Sequence, residues 1–352
     1  MPTARRGMVL PVVMACMMLV LCIAGTLQAV SWRAGRGART QWDAQRALYA
    51  AEYMVVQSIA EWPADSVAAT PIGESALRVE RDADGWTVRR AITRTAPLVA
   101  VVYADARAPR AGTSTDPLSD RISVARRVTR IVRLEPPAIA IPAAVAVLGA
   151  VQIDGATISG RDRSGPAVRD RDDCGPLRDT ASVDAVQAIV LNSTSSSIVT
   201  GSLTTITSPM ADARTRAFDD AWRQIDQRAA RRTLPATGIV PTNAPWRASV
   251  IAGAGAITLE GASRVVGLLA IDGDLVVRGT LRVDGVLVVR GALDASIGAL
   301  DVDGAVVVRD SWSRGSRLGS QTVIRYAPCL VGRALAAVAL PRVGPFDSWN
   351  SP

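Results

Sequence analysis

The sequence predicts a mainly β protein with some α structure: an N-terminal transmembrane helix, a small antiparallel α+β section and a C-terminal β-solenoid built on a hexapeptide period. Three observations lead there. Residues 8–31, MVLPVVMACMMLVLCIAGTLQAVS, carry no charge. Residues 77–134 largely alternate apolar and polar side chains. Beyond residue 250, Gly255, Gly261, Gly267, Gly273, Gly279, Gly285 and Gly291 recur at every sixth position.

Composition sets limits on function. Hydrophobic residues make up 49% of the chain, too many for a disordered protein. Aromatics are only 4%, so the apolar mass is Ala, Val, Leu and Ile, which suits regular strands. Lysine and histidine are absent, so the 40 basic residues are all arginine, set among 32 acidic ones. No run joins arginines to stacking aromatics, so the net charge of +8 does not point to nucleic acid. Without histidine there is no Ser-His-Asp or Cys-His pair and no His-ligated zinc. No phosphate-binding glycine loop is present either, and no cofactor is expected.

In chain order, residues 8–32 are expected to be a transmembrane helix. At about 1.5 Å per residue the uncharged run is roughly 36 Å long, against about 30 Å for a bilayer core. A secretory signal has an apolar region of only about 7–15 residues and an Ala-x-Ala-like site, which LQAVS is not. Arg5 and Arg6 precede the run and Arg33, Arg36 and Arg39 follow it, so charge asymmetry alone does not set orientation.

Residues 33–63 are expected to form an extracytoplasmic helix. Trp42, Tyr49 and Val56 stand seven apart, with Tyr53 and Ala60 filling the adjacent turn, and Pro63 ends the element. Packing against the globular part is the simpler expectation for this stripe; contact with a neighbouring helix is the alternative. Gly35 and Gly37 are expected to make a flexible joint just past the membrane.

Residues 70–135 read as the antiparallel section. ALRVERDADGWTVRRAITR is strand, Asp84–Gly85 turn, strand, and APLVAVVYADAR and RISVARRVTRIVRLE add two more. PPAIAIPAA is a stiff connector. Residues 143–310 are then the solenoid, with a helical insertion at about 161–245 and a tail or cap over 311–352. Within the hexads the second and fourth residues after glycine are usually aliphatic, as in Leu275 and Val277, Leu281 and Val283, and Leu287 and Val289. Residues two apart share one face of a strand, so glycine marks the corners. The alternative is a meander of hairpins turning at Asp272–Gly273 and Asp284–Gly285. MADARTRAFDDAWRQIDQRAARR should be a helix with Phe218, Trp222, Ile225 and Ala229 on one side, covering an open end or side of the coil.

No residue stands out as catalytic. Asp272, Asp274, Asp284 and Asp303 read as turn and surface residues, since aspartate favours the position before a turn glycine. Asp170, Asp172 and Asp173 lack the spaced calcium-loop motif, and no metal site is expected. Cys16 and Cys22 belong to the anchor, leaving Cys174 and Cys329 as a possible disulfide.

RRGMVLPVVM resembles the basic leader, glycine and apolar helix of type IV prepilins, which a prepilin peptidase cuts after the glycine, here Gly7, to leave Met8 first. RTQWDAQRALYAAEYMVVQSIAEW is similar to PilX-type minor pilins, through Arg39, Ala47, Leu48, Ala50, Ala51 and Glu52. This resemblance covers residues 1–62 and makes residues 1–7 the leader. It implies an extracytoplasmic domain on a single-pass bacterial inner-membrane anchor, and other pilin-like subunits as partners, met by Trp42, Tyr49, Glu52, Tyr53 and Val56. Val12 stands where major pilins carry glutamate, which points to a minor role. The repeats also resemble those of bactofilins. The function expected is a structural, minor-pilin-like component of a type IV pilus or related filament. A membrane-anchored scaffold or adhesin is the alternative, and a carbohydrate-active β-helix enzyme a remote one.

Overall fold

The computed structural model describes residues 9–81, 87–107, 125–139, 141–161, 181–185, 189–191, 197–205, 208–233, 237–240, 246–253, 255–309 and 315–351. Its first element is one helix, α1 (Val9–Ala60), 52 residues and roughly 78 Å long. Two helices with a joint between them were expected. Instead α1 runs unbroken through Gly35 and Gly37, because a glycine costs only about 1 kcal/mol in a helix interior and regular turns flank both. The N-terminal part is fully exposed and is long and apolar enough to cross a membrane, as an anchor or as a signal sequence.

Pro63 precedes a short second helix, α2 (Ala64–Ala69). Four strands follow, β1 (Ser75–Arg81), β2 (Thr87–Ala96), β3 (Val99–Arg107) and β4 (Ala125–Glu135), antiparallel throughout. The Asp84–Gly85 turn lies outside the described residues. The C-terminal half of α1 packs on this sheet through Ala47, Ala51, Met54 and Val55, against Ala100, Val102 and Ala104 of β3 and Val128 and Val132 of β4. Alanines on both surfaces let helix and sheet approach closely.

The rest is mostly parallel sheet. The chain first makes β5 (Ala143–Val147), β6 (Val151–Ile153), β7 (Thr157–Ser159), β8 (Ala181–Ala185), β9 (Ile189–Leu191), β10 (Ile198–Thr200) and β11 (Leu203–Thr205). Helix α3 (Ser208–Arg228) follows. Then come β12 (Ala230–Thr233), β13 (Thr237–Gly238), β14 (Arg247–Ala252), β15 (Ile257–Leu259), β16 (Ala262–Asp272), β17 (Leu275–Val277), β18 (Thr280–Val289) and β19 (Leu293–Ala295). The chain closes with β20 (Ala299–Val308), β21 (Ser316–Leu318), β22 (Thr322–Tyr326), helix α4 (Pro328–Ala336) and β23 (Leu340–Ser351).

These strands stack in three ladders, which the chain visits in rotation. The short strands form one, in the order β13-β15-β17-β19-β21-β6-β9. The long strands β16, β18 and β20 each serve the other two: their first halves pair onward to β22, β7 and β10, and their second halves to β5, β8 and β11. Because β16, β18 and β20 pair parallel, the hairpin alternative is excluded. Ile257, Leu275 and Leu293 from the first ladder, Val265, Leu281 and Val283 from the second, and Leu269, Leu287 and Val306 from the third share one buried core.

Two stretches differ from expectation. Residues 161–245 are not simply a helical insertion, since β8, β9 and β10 pair with β5, β6 and β7, and β11 with β8, in the same ladders. Those strands are three to five residues long, too short to carry a periodic signal. Residues 311–352, expected as a tail or cap, also contribute strands. β21 and β22 extend the ladders past residue 310, and β23 adds a fifth strand to the antiparallel sheet beside β4.

The spaced glycines stack in columns. Gly267 pairs with Gly285 and Gly285 with Gly304, the second step longer by one residue because of the turn at Ser296–Gly298. A Cβ on Gly285 would lie 2.1 Å from the Gly267 carbonyl oxygen, and Gly285 has φ +144. Similarly a Cβ on Gly279 would meet the Gly261 oxygen at 2.0 Å, and one on Gly291 would meet the Gly273 carbonyl carbon at 2.6 Å. The Gly285→Ala variant should therefore lose about 3 kcal/mol or more of stability, from backbone strain plus displacement of the neighbouring circuit. Gly37→Ala, where an added Cβ meets nothing within 4 Å, should gain about 0.5–1 kcal/mol. Denaturant unfolding of the detergent-solubilised chain separates the two.

Candidate functional site

Helix α1 past the membrane-length segment has two apolar faces, and among the described residues only one of them is buried. Ala47, Ala51, Met54, Val55 and Ser58 are buried on the antiparallel sheet, where Arg90 Nη1 donates to Ser58 Oγ at 3.1 Å. The aromatic stripe points the other way: Trp42 is 70% exposed, Tyr49 68%, Tyr53 66% and Val56 65%. The expectation that this stripe packs on the globular part is thus corrected. Alanines fit the narrow helix–sheet gap, whereas a Trp–Tyr–Tyr face would hold the sheet off. Glu52 sits half-buried at the margin of the stripe.

No protein-family model matches the chain, and no curated protein matches it. Among solved structures it is similar to an ice-binding protein from an Antarctic biological consortium, at 13% sequence identity and a TM-score of 0.29, over 54% of this chain and 91% of that one.

The third ladder carries the other helices. Its strands are buried on both sides, as in the unbroken buried run at the end of β18 and of β20. Inward side chains join the common core; the outward ones, Leu268, Ala270, Val286, Val288 and Val307, meet Phe218, Trp222 and Ile225 of α3 and Val331 and Leu335 of α4. A line of charges follows α3 down the stack. Arg214 pairs with Asp184 of β8, Asp219 accepts from Arg309 Nη2 after β20 at 3.0 Å, Arg290 after β18 lies 5.8 Å from the Trp222 ring, and Arg231 just beyond the helix bonds Asp272 at 3.1 Å. Sequence reading found the helix and its apolar side; these pairings leave no local sequence signal because each joins distant segments.

The aspartates singled out earlier are held by arginines or backbone. Asp284 accepts from Arg264 at 2.8 Å and Arg282 at 3.3 Å, and Asp303 from Arg325 at 2.5 Å. The Asp303 hydrogen bond raises the Arg325 guanidinium above its usual range, burial works against this, and the charges of Asp303 and Asp301 add to the rise. Asp272 is shared by Arg231 and Arg290, and Asp274 accepts the Ala292 N–H at 2.8 Å. Among the described residues no group of three or more Cys, Asp or Glu is placed to hold a metal; Asp170, Asp172 and Asp173 lie outside them.

Two arginines missed at the sequence level clasp α2. Arg94, 1% exposed, donates to the carbonyls of Ala68, Thr70 and Pro97. Arg333 of α4 donates to Ala68 and Ala69, and its guanidinium lies 4.0 Å over the Trp246 ring. Parity could have flagged Arg94, which shares a strand face with Val88 and Ile92. Burial raises the carboxyl of Asp65 above its ordinary value, while Arg247 4.0 Å away pulls it back.

Gly7, Met8 and Cys174 lie outside the described residues. Cys329 is buried and disulfide-bonded, whereas Cys16 and Cys22 are free. Peptide mapping without reductant is expected to recover Cys329 joined to Cys174, and another partner would refute that pairing. Arg214→Ala, which strands the buried Asp184 carboxylate, should cost about 3 kcal/mol. Arg223→Ala, which breaks an exposed pair with Asp220, should cost under about 1 kcal/mol by the same unfolding assay.

Proposed function

We propose that the chain is a structural, minor-pilin-like component of a type IV pilus or related secretion filament, displaying a β-solenoid head on a membrane-anchored helical stalk. The observation that carries this reading is the two-faced helix α1. One stripe is used up on the antiparallel sheet, while Trp42, Tyr49, Tyr53 and Val56 remain open on the same unbroken helix that is apolar enough to span a bilayer. A helix apolar on two opposite sides is suited to burial on both. Large aromatics are also the residues that carry most binding energy at protein interfaces. Neighbouring pilin-like helices would take the second side, with Glu52 at its margin.

The head follows from the ladders. Three parallel ladders around one core, with glycine over glycine where the chain turns, suit a solenoid of three short sides per circuit. It acts as a shape, held out from the membrane.

In this reading the leader is removed after Gly7 by a prepilin peptidase and the head is extracytoplasmic. Intact-mass measurement of the native protein should find Met8 as the first residue; a retained leader would favour a membrane-anchored scaffold or adhesin instead. Trp42→Ala and Tyr49→Ala together should leave the unfolding free energy within about 0.5 kcal/mol of the parent, since both side chains are exposed. The same double variant should lose co-purification with pilin-like subunits, and undiminished co-purification would sink the assignment of this face.

A further inference from the structure

We propose that Arg33, Arg36 and Arg39 form a collar that binds the phosphate groups of anionic phospholipids at the membrane surface. The inference rests on the anchor reading of α1 and is independent of leader cleavage or filament assembly. The uncharged part of the helix ends at Trp32, which is 59% exposed, and three arginines follow within two turns, with no acidic residue before Asp43. All three are exposed, and Arg36 lies with its guanidinium carbon 3.4 Å from the Trp32 ring centroid.

Helix geometry aims the collar. With Trp32 at the edge of the hydrocarbon, the Cα atoms of Arg33, Arg36 and Arg39 stand roughly 1.5, 6 and 10 Å beyond it. The headgroup layer is about 5–8 Å deep on each side. Side chains on a helix tilt toward its N-terminus, here back toward the membrane, so even Arg39 reaches the phosphates. Successive arginines are stepped by about 60° around the axis, so they meet different headgroups rather than competing for one. Arg46 stands roughly 21 Å beyond Trp32, too far to take part. Gly35 and Gly37 put no side chain between the arginines, and an added Cβ at either would meet nothing within 4 Å.

The test uses the full-length chain. An alkaline wash of membranes comes first: release of the chain would overturn the anchor reading itself, while retention lets the collar be judged separately. Native mass spectrometry in detergent, titrated with phosphatidylglycerol or phosphatidylcholine, then reads lipid adducts. Phosphatidylglycerol should bind more tightly, and the R33Q/R36Q/R39Q variant should lose about fivefold per arginine, the factor equivalent to about 1 kcal/mol each. R46Q should bind as the parent does, and glutamine keeps helix propensity close to that of arginine. Equal binding of the two lipids, undiminished binding by the triple variant, or displacement of phosphatidylglycerol by millimolar inorganic phosphate would each overturn the proposal.

Discussion

The contact on which the rest depends is backbone against backbone. Where the chain turns from one ladder to the next, the peptide of one circuit lies directly on that of the circuit before, closer than any side chain allows. This fixes glycine at those positions and sets the length of each side. It also holds the ladders in register, since a slip of one residue would put a Cβ into a neighbouring carbonyl. Between β18 and β20 the chain accommodates one added residue at Ser296–Gly298, where Asp294 accepts from the Ser296 N–H and hydroxyl and absorbs it in a local turn.

The second constraint is that one ladder is apolar on both sides. Its outer surface has to be covered, and α3, α4 and α2 lie along it, continuous with the layer beneath α1. Helix α3 also solves a problem of order. The circuit that begins at β5 stacks on the one that ends at β20 and β22, so the chain, having made β11 at one end, must return to the other to begin β12. Seven strand spacings at about 4.8 Å come to roughly 34 Å. The 21 residues of α3 span roughly 31 Å. The helix is the length of the stack it has to cross.

Much of this was legible in the sequence because the constraint falls on single residue types. Only glycine fits the backbone contacts, so the period is written directly. Leu281 and Val283 inside, with Thr280 and Arg282 outside, follow the alternation of a sheet with one wet side. Other parts were hidden for physical reasons. The aromatic stripe of α1 outweighed Ala47 and Ala51 in any apolar count, although the small residues make the internal contact. Strand β23 contains Pro341, Gly344 and Pro345, which argue against a strand until it is seen to lie at the sheet edge, where a missing N–H is tolerated. The two-sided runs LLAI, VLVV and AVVV carried the signal for covering helices, but within a hexad they looked like ordinary inward pairs.

The order of the circuits has a consequence for biosynthesis. The open edge of β5 and β7 receives β20 and β22 only after the last quarter of the chain has left the ribosome, and the antiparallel sheet likewise waits for β23. At about 5–20 residues per second, the first circuit stays incomplete for roughly ten to thirty seconds of translation. During that interval its hydrogen-bonding edge is open to any passing extended polypeptide, and it closes when the final turns arrive.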